Sequence, residues 1–275
     1  MRLTKHHGLG NDFLVALESV NGPLHVGPAT ARLLCDRHRG IGADGLVMGR
    51  SSTEAVVAME LLNADGSRAE ISGNGLRCLV HAVARANGWG EGEMLVQTDA
   101  GPRHAVFRPG DRSDTLVVDC EMGVATVEEV EVPAQAGASR AWRVDVGNPH
   151  LVLLVDDLSD ISPSEEGAAL QRLLAGGVNV EWVVPAKDGV DLVVYERGVG
   201  PTLACGSGAV AAVAALWRGG AFSPKRSTGP ISVRMPGGRA RVSVDADSGM
   251  LTLSGPSVFV GTVEIEDEFL AVASS

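Results

Sequence analysis

Residues 205–217 read Cys-Gly-Ser-Gly-Ala-Val-Ala-Ala-Val-Ala-Ala-Leu-Trp, and this segment gives the clearest indication of how the chain folds. A cysteine and a Gly-Ser-Gly segment precede an unbroken run of good helix formers. Because the run is apolar on every face and far too short to cross a bilayer, we expect a helix enclosed by a curved sheet. Cys205 would then lie at the helix N-terminus, where unpaired N–H groups and the helix dipole favour a thiolate.

The same pattern occurs once more, earlier in the chain. Ser72–Val83 aligns without a gap with Cys205–Leu216, 133 positions later, so that Ser72 stands where Cys205 stands. Two further pairs of segments match at 137 positions: Leu9–Val15 with Val146–Val152, and the turn Thr98–Pro102 with Met235–Arg239. Three ordered matches at a nearly constant offset indicate a twofold internal repeat.

The repeat predicts two domains. A chain of 275 residues accommodates two domains of roughly 130 residues. We expect the first at 1–121 and the second at 122–256, each with strands around one buried helix. The buried helices are predicted at Gly73 to about Asn87 and at Gly206–Trp217, and a further helix is predicted near 165–174. Separate strands are predicted near 250–253 and at 257–266. The latter is left over after both repeats, so 257–275 is expected to return and complete the first domain.

Composition narrows the classes of function. A formal net charge of -11 and 4% aromatic residues argue against a nucleic-acid or anionic-membrane partner and favour a small-molecule ligand. The first ten residues lack an apolar core of signal-peptide length, so we expect a cytoplasmic protein. The four cysteines show no C-x-x-C spacing, which predicts free thiols.

The two predicted buried helices suggest a chemistry. Each begins with a Gly-polar-Gly segment, Gly73-Asn74-Gly75 or Gly206-Ser207-Gly208. If both N-termini faced one cleft, their N–H groups would bind a carboxylate. Ser72 and Cys205 would then stand on opposite sides of a bound carbon atom, as needed to remove a proton from one face and return one to the other.

Polar residues at predicted strand ends are candidates for the same site. These candidates are Asn11, Asn63, Asn74, Asn148, Asn179, Glu196 and Arg197. Isolated asparagines are common in turns, but several of the asparagines in this set recur at equivalent places in the repeat, which favours a polar pocket. His150 and Glu196 are placed to exchange protons with a catalytic group. The seven histidines show no metal-ligand spacing, and none of the three lysines lies in a glycine-framed motif typical of pyridoxal phosphate sites. We therefore expect neither metal nor cofactor.

Six motifs, in order over nearly the whole chain, resemble those of the diaminopimelate epimerase family. They are His7-Gly8-Leu9-Gly10-Asn11-Asp12-Phe13, Asn63-Ala64-Asp65-Gly66-Ser67, Gly73-Asn74-Gly75-x-Arg77-Cys78, Gly147-Asn148-Pro149-His150, Tyr195-Glu196-Arg197-Gly198 and Ala204-Cys205-Gly206-Ser207-Gly208. The resemblance implies the α/β (α+β) class, with two pseudo-symmetric domains, each a curved mixed β-sheet or barrel around a central helix. It implies a cytoplasmic homodimer that interconverts LL- and meso-diaminopimelate without a cofactor, in the bacterial route to lysine and peptidoglycan.

The resemblance also implies roles for individual residues. Cys205 matches one of the family's two catalytic cysteines, and His150 and Glu196 match the polar partners of the catalytic groups. Substrate contacts are implied for Asn11, Asn63, Gly73, Asn74, Asn148, Asn179, Glu196, Arg197, Gly206 and Ser207.

Two positions depart from the family pattern. The second catalytic cysteine of the family is replaced by Ser72, and Cys78 cannot take its place because it lies nearly two helical turns further on. Gly45 stands where some relatives carry a polar side chain that contacts substrate. Four hypotheses stay open. They are an epimerase with a Ser/Cys catalytic pair, an epimerase inactivated at Ser72 by engineering or natural drift, a Ser/Cys amino-acid dehydratase related to the proline racemases, and a non-catalytic diaminopimelate-binding protein.

Overall fold

The computed structural model describes residues 1–132, 136–173, 176–221 and 229–271. The chain divides into two compact units. Unit 1 comprises Met1–Cys120 and Gly255–Ser275, and unit 2 comprises Glu121–Ser254. The predicted division places the two boundaries one and two residues later, and residues 272–275 of its first domain lie outside the described part of the chain.

Unit 1 is a mixed sheet with a helix against it. Its elements are β1 (Arg2–Gly8), β2 (Asn11–Leu17), α1 (Glu18–Asn21), α2 (Pro28–Cys35), β3 (Gly45–Arg50), β4 (Val57–Asn63), β5 (Arg68–Ala69), α3 (Gly73–Asn87), β6 (Gly92–Thr98), β7 (Gly101–Pro109) and β8 (Thr115–Val124). The last four residues of β8 belong to unit 2. The β2–β3 and β4–β6 pairs are parallel, whereas β1–β2, β3–β4, β6–β7 and β7–β8 are antiparallel.

Strand β2 shows how the apolar sequence of unit 1 builds its core. All seven of its residues are buried. Leu14 and Ala16 pack in one apolar cluster with Leu34 of α2, and α3 also lies against this strand. A strand that is covered on both faces has a continuous apolar sequence, and β2 is apolar from Phe13 to Leu17.

Helix α3 lies against β1, β2, β3, β4 and β7. Its residues 73–84 are all buried, and it ends at Gly88, whose φ of 70° is in the left-handed region that favours glycine. The bounds of α3, Gly73–Asn87, are those predicted from the sequence.

Unit 2 repeats this plan. Its elements are β9 (Thr126–Glu129), β10 (Arg140–Asp145), β11 (Pro149–Leu154), α4 (Pro163–Leu170), β12 (Asn179–Ala186), β13 (Gly189–Glu196), β14 (Gly200–Thr202), α5 (Gly206–Arg218), β15 (Ile231–Met235) and β16 (Gly238–Val244). The β11–β12 and β13–β15 pairs are parallel, and the remaining pairs are antiparallel. Helix α5 lies against β10–β13 and β16, with residues 206–216 buried.

The predicted α/β (α+β) class, with one buried helix against a mixed sheet in each half, is confirmed. Among the helices described, none is both long and apolar enough to span a membrane.

Two predicted elements differ in the structure. The separate strands at 250–253 and 257–266 are wrong, because Met250–Glu264 forms one continuous strand, β17. Its buried and less buried residues alternate without interruption through Gly255 and Pro256, so this dipeptide does not break the strand. The helix predicted at 165–174 begins earlier, at Pro163, and ends at Leu170, and Leu174 lies outside the described residues.

Strand β17 connects the two units. Residues 251–254 pair with β16, and residues 258–264 pair with β1. A short helix, α6 (Asp267–Ala271), follows.

Candidate functional site

Ser72 and Cys205 cap the two buried helices in the same way. Each is the residue before the first helical turn, with φ −136° and ψ 123° at Ser72 and φ −122° and ψ 120° at Cys205. Ser72 Oγ accepts a hydrogen bond from the Gly75 N–H at 3.1 Å, and Cys205 Sγ accepts one from the Gly208 N–H at 3.3 Å. The alignment of the two segments in sequence therefore corresponds to one local geometry.

The glycine at position 208 is required by close packing at this cap. A Cβ added to Gly208 would lie 2.7 Å from Glu181 Oε1 and 3.2 Å from Cys205 Cβ. The small residue lets a carboxylate from a neighbouring strand approach the first turn of α5. The Gly-Ser-Gly segment therefore serves packing as well as helix entry.

Cys205 is buried, with 3% of its surface exposed. Burial raises the pKa of the thiol well above its ordinary value, and the carboxylates of Glu196 and Glu181 raise it further. The hydrogen bonds from Ser207 and Gly208 oppose this effect but are weaker. This direction is opposite to the one expected from the helix N-terminus alone, because desolvation and the nearby carboxylates oppose the ionised thiol.

A chain of buried polar side chains leads away from Cys205. Cys205 Sγ lies 3.5 Å from Ser207 Oγ, which accepts a hydrogen bond from Asn148 Nδ2 at 3.3 Å. Asn148 Oδ1 lies 3.0 Å from His150 Nε2, and His150 Nδ1 lies 2.6 Å from Glu181 Oε1. The predicted residues Asn148, His150 and Ser207 are thus brought together with Cys205 in unit 2.

Glu181 belongs to this cluster, and sequence reasoning missed it. Strands β11 and β12 run parallel, with His150 opposite Asn179 and Val152 opposite Glu181. Because side chains alternate along a strand, His150 and Glu181 point to the same face. The signal in the sequence is an ionisable residue inside the apolar strand Val180-Glu181-Trp182-Val183.

Glu196, Arg197 and Asn179 lie at the neighbouring strand ends. Asn179 Oδ1 accepts a hydrogen bond from the Arg197 N–H at 2.9 Å, and Asn179 Nδ2 donates to the Pro149 carbonyl at 3.2 Å. Glu196 accepts a hydrogen bond from the Thr202 hydroxyl. Asn179 therefore joins the ends of β11 and β13, while Glu196 acts electrostatically on Cys205.

A second chain of amides lies in unit 1. Arg77 donates a hydrogen bond to Asn74 Oδ1, Asn74 Nδ2 donates to Asn11 Oδ1 at 2.9 Å, and Asn11 Nδ2 donates to Asp44 Oδ2 at 2.8 Å. Asn74 and Arg77 are fully buried. This chain orients the predicted residues Asn11 and Asn74 beside Gly73 and the Ser72 cap.

Arg77 fits because of a glycine on β17. A Cβ added to Gly255 would lie 1.6 Å from Arg77 Nη1. The guanidinium group is therefore packed directly against the backbone at this position. Arg77 therefore points into the protein, where it donates a hydrogen bond to Asn74, and not into solvent.

Asn63 lies at the end of β4, apart from the hydrogen-bonded series of Arg77, Asn74, Asn11 and Asp44. Its Nδ2 donates a hydrogen bond to Ser67 Oγ at 3.0 Å, and the residue pairs with Gly45 across β3 and β4. A Cβ added to Gly45 would lie 2.9 Å from the Leu62 carbonyl oxygen and 3.1 Å from the Phe13 ring. Phe13 therefore occupies space that a side chain at position 45 would need.

All four cysteines are unpaired and buried, which confirms the prediction of free thiols. Burial raises the pKa of the Cys78 thiol to about 12. Cys78 is therefore a packing residue of α3.

Comparisons with known proteins agree with this geometry. The family model for diaminopimelate epimerase matches residues 3–128 and 142–260. The chain is 37% identical to the diaminopimelate epimerase of Mycolicibacterium smegmatis, over 97% of each chain. It is 36% identical to the O-ureido-serine racemase of Streptomyces lavendulae, over 94% of this chain and 92% of that one.

Solved structures share the fold at low sequence identity. A predicted epimerase of Pseudomonas aeruginosa aligns with a TM-score of 0.74 at 15% identity, over 96% of this chain and 98% of that one. A hydroxyproline epimerase of Agrobacterium vitis aligns with a TM-score of 0.70 at 17% identity, over 96% and 90%.

Proposed function

The chain belongs to the diaminopimelate epimerase family, and from this we propose that it binds diaminopimelate and moves a proton at one α-carbon. The reaction is the interconversion of the LL and meso stereoisomers, in the bacterial route to lysine and peptidoglycan. The observation that carries the proposal is the shared cap geometry of Ser72 and Cys205 on two buried helices.

We propose that the N-termini of α3 and α5 bind the end of the substrate at which the reaction takes place. The first N–H groups of α3 and α5 lack partners within their own helices, so they bind the α-carboxylate of the substrate and favour its negative charge. Gly73 and Asn74 belong to the first turn of α3, and Gly206 and Ser207 to the first turn of α5. Following the family resemblance, Ser72 and Cys205 are the proposed acid and base at the α-carbon.

Cys205 starts the cycle as a thiol, because burial and the carboxylate of Glu196 oppose its ionisation. To remove the α-proton it must first release its own proton, for which Glu196 is the proposed acceptor. The C–H bond then breaks, the electron pair stays on the α-carbon, and the proton goes to the sulfur.

Ser72 limits the second half of the reaction. Inversion requires that the opposite face receive a proton from the Ser72 hydroxyl, which leaves an alkoxide. A serine hydroxyl is a much weaker acid than a thiol, and it acts as an acid or base only with an adjacent activating group. We therefore propose that binding and proton abstraction at Cys205 are retained while net epimerisation is slow.

One relative supports a second candidate substrate. The O-ureido-serine racemase is almost as similar in sequence as the first diaminopimelate epimerase. The distal end of diaminopimelate carries an ammonium and a carboxylate group, whereas the distal end of a ureido amino acid is neutral. The two substrates would therefore make different contacts with Asn63 and Arg197. Titration of both compounds decides between them, since leaving charged or polar groups unpaired is costly.

The cofactor requirement, the oligomeric state and the cellular location are proposed from the family resemblance. We propose that the reaction needs no pyridoxal phosphate, that the protein is a homodimer and that it works in the cytoplasm. Epimerase assays with added chelator or hydroxylamine test the first, and light scattering on the purified protein tests the second.

The test of the proposed function is calorimetric titration of LL- and meso-diaminopimelate, together with a chiral assay of epimerisation by the Ser72→Cys protein. We expect binding to both proteins and turnover by the variant. Tighter binding of proline or hydroxyproline than of diaminopimelate would favour the dehydratase hypothesis. Binding of diaminopimelate without proton exchange or turnover in either protein would favour the non-catalytic hypothesis.

A further inference from the structure

The carboxyl group of Glu181 is buried without contact to solvent. Glu181 and His150 each have 0% of their surface exposed, and Glu181 Oε1 lies 2.6 Å from His150 Nδ1. Glu181 Oε2 has no hydrogen-bond partner among the described residues. An ionised carboxylate in such a place is costly unless a proton or a cation neutralises it.

The other ring nitrogen of His150 fixes where its protons are. Nε2 faces Asn148 Oδ1 at 3.0 Å, while the Asn148 amide nitrogen is directed to Ser207. An amide oxygen only accepts hydrogen bonds, so Nε2 must carry a proton. The contact between Nδ1 and Glu181 then needs one more proton, held either by the carboxyl group or by the ring.

We propose that Glu181 is a positioning residue that shares this one proton with His150, keeps the pair neutral, and fixes the imidazole with Nε2 protonated. The proposal rests on the proposed function. Through the imidazole, Glu181 orients Asn148, and Asn148 in turn orients Ser207 beside Cys205. A misoriented Asn148 would present an oxygen instead of an N–H group to Ser207.

The shared proton also matters for the charge around Cys205. The titratable groups that act on this region are His150 on β11, Glu181 on β12, Glu196 on β13 and Cys205 itself. A bare carboxylate at Glu181 opposes ionisation of Cys205. Burial raises the pKa of Glu181, and the neighbouring His150 opposes that shift.

Two variants separate positioning from proton sharing. In Glu181→Gln the amide can still donate to Nδ1, so the Nε2-protonated tautomer is kept, but no proton can move to the ring. In Glu181→Leu the partner of Nδ1 is lost, and the ring is free to adopt either tautomer. Glu60→Gln, which changes a strand carboxylate of unit 1 paired with Arg50 and Arg68, is the matched control.

The experiment is long-range ¹H–¹⁵N NMR of the His150 ring in the whole protein, which requires no turnover. We expect Nε2 to be protonated in the unchanged protein, in Glu60→Gln and in Glu181→Gln, and both tautomers to be present in Glu181→Leu. A His150 ring with Nδ1 protonated and Nε2 bare in the unchanged protein, or no change in Glu181→Leu, would overturn the proposal.

Kinetics in the Ser72→Cys background provide a second readout. We expect Glu181→Leu, which removes the partner that orients the imidazole, to lower kcat roughly tenfold or more with little change in KM. Glu181→Gln, which keeps that orientation, should retain more of kcat but alter the pH profile. An unchanged kcat and pH profile would contradict the proton-sharing role. If the Ser72→Cys protein itself lacks epimerase activity, the proposed function fails, whereas the NMR result still decides the role of Glu181.

Discussion

Ser72 and Cys205 are equivalent caps of two helices, each accepting a hydrogen bond from the N–H group three residues later, at 3.1 and 3.3 Å. The position of a second catalytic group is therefore kept in unit 1, but a hydroxyl occupies it. Since a hydroxyl and a thiol differ greatly in acidity, this one atom decides how far the reaction proceeds.

Replacing Ser72 by cysteine should increase the rate of epimerisation, because the new thiol would occupy a cap that already accepts the Gly75 N–H. We expect a gain of about a hundredfold or more, the range typical of a positioned acid or base. Chiral chromatography of LL- and meso-diaminopimelate after timed incubation measures it. Ser113→Cys, which adds a thiol at an exposed position, is the control and should leave the rate unchanged.

Solvent exchange catalysed by Cys205 should rise with pH. Its pKa is raised above the ordinary thiol value, so the thiolate is a small fraction that grows about tenfold per pH unit below that pKa. Deuterium incorporation into diaminopimelate, followed by mass spectrometry between roughly pH 6 and 9, checks this. Cys205→Ser should lose the exchange, and a rate independent of pH would show that the thiolate is already formed.

Gly255→Ala should destabilise the protein and weaken substrate binding. The new Cβ would lie 1.6 Å from Arg77 Nη1, and displacing Arg77 would disturb its hydrogen bond to Asn74. Overpacking of this kind costs roughly 1–3 kcal/mol in the free energy of unfolding. Urea unfolding and calorimetry measure the two effects. Gly261→Ala on the same strand has nothing within 4 Å of the added Cβ and should change neither quantity.

The free energy of unfolding should fall on mild acidification because of His81. Burial lowers its pKa from 6.5 to about 4, so between these values the unfolded chain binds a proton that the folded protein does not. Stability from this group is complete above pH 6.5 and is lost as the pH falls towards 4. Urea unfolding at several pH values should show a shallower slope in His81→Gln and an unchanged slope in the exposed control His25→Gln.

The sequence predicts the buried helices and their caps because these features are local. Glycines and apolar runs mark α3 and α5, and the internal repeat relates Ser72 to Cys205 without any knowledge of the fold. The strand break expected near Gly255 and Pro256 is wrong, because β17 pairs with β16 before this dipeptide and with β1 after it and stays extended in between.

The environment of the site was less predictable, since it depends on contacts between distant segments. Glu181 meets His150 only through the register of two parallel strands, 31 positions apart. The pKa of Cys205 depends on burial and on carboxylates of β12 and β13, which outweigh the local helix effect. Local sequence patterns do not predict burial or contacts between distant strands, so they do not predict the pKa of Cys205.

We propose that Cys205 is the working half of an epimerase whose other half is limited by Ser72. Incubation of pure LL- and meso-diaminopimelate in deuterated water, with mass and chiral analysis, tests it most directly. We predict that one stereoisomer, the one whose α-hydrogen faces Cys205, gains deuterium without inversion while net epimerisation stays far below that of Ser72→Cys. Equal exchange from both stereoisomers, or epimerisation as fast as in the variant, would contradict the claim and show that Ser72 is a competent acid and base.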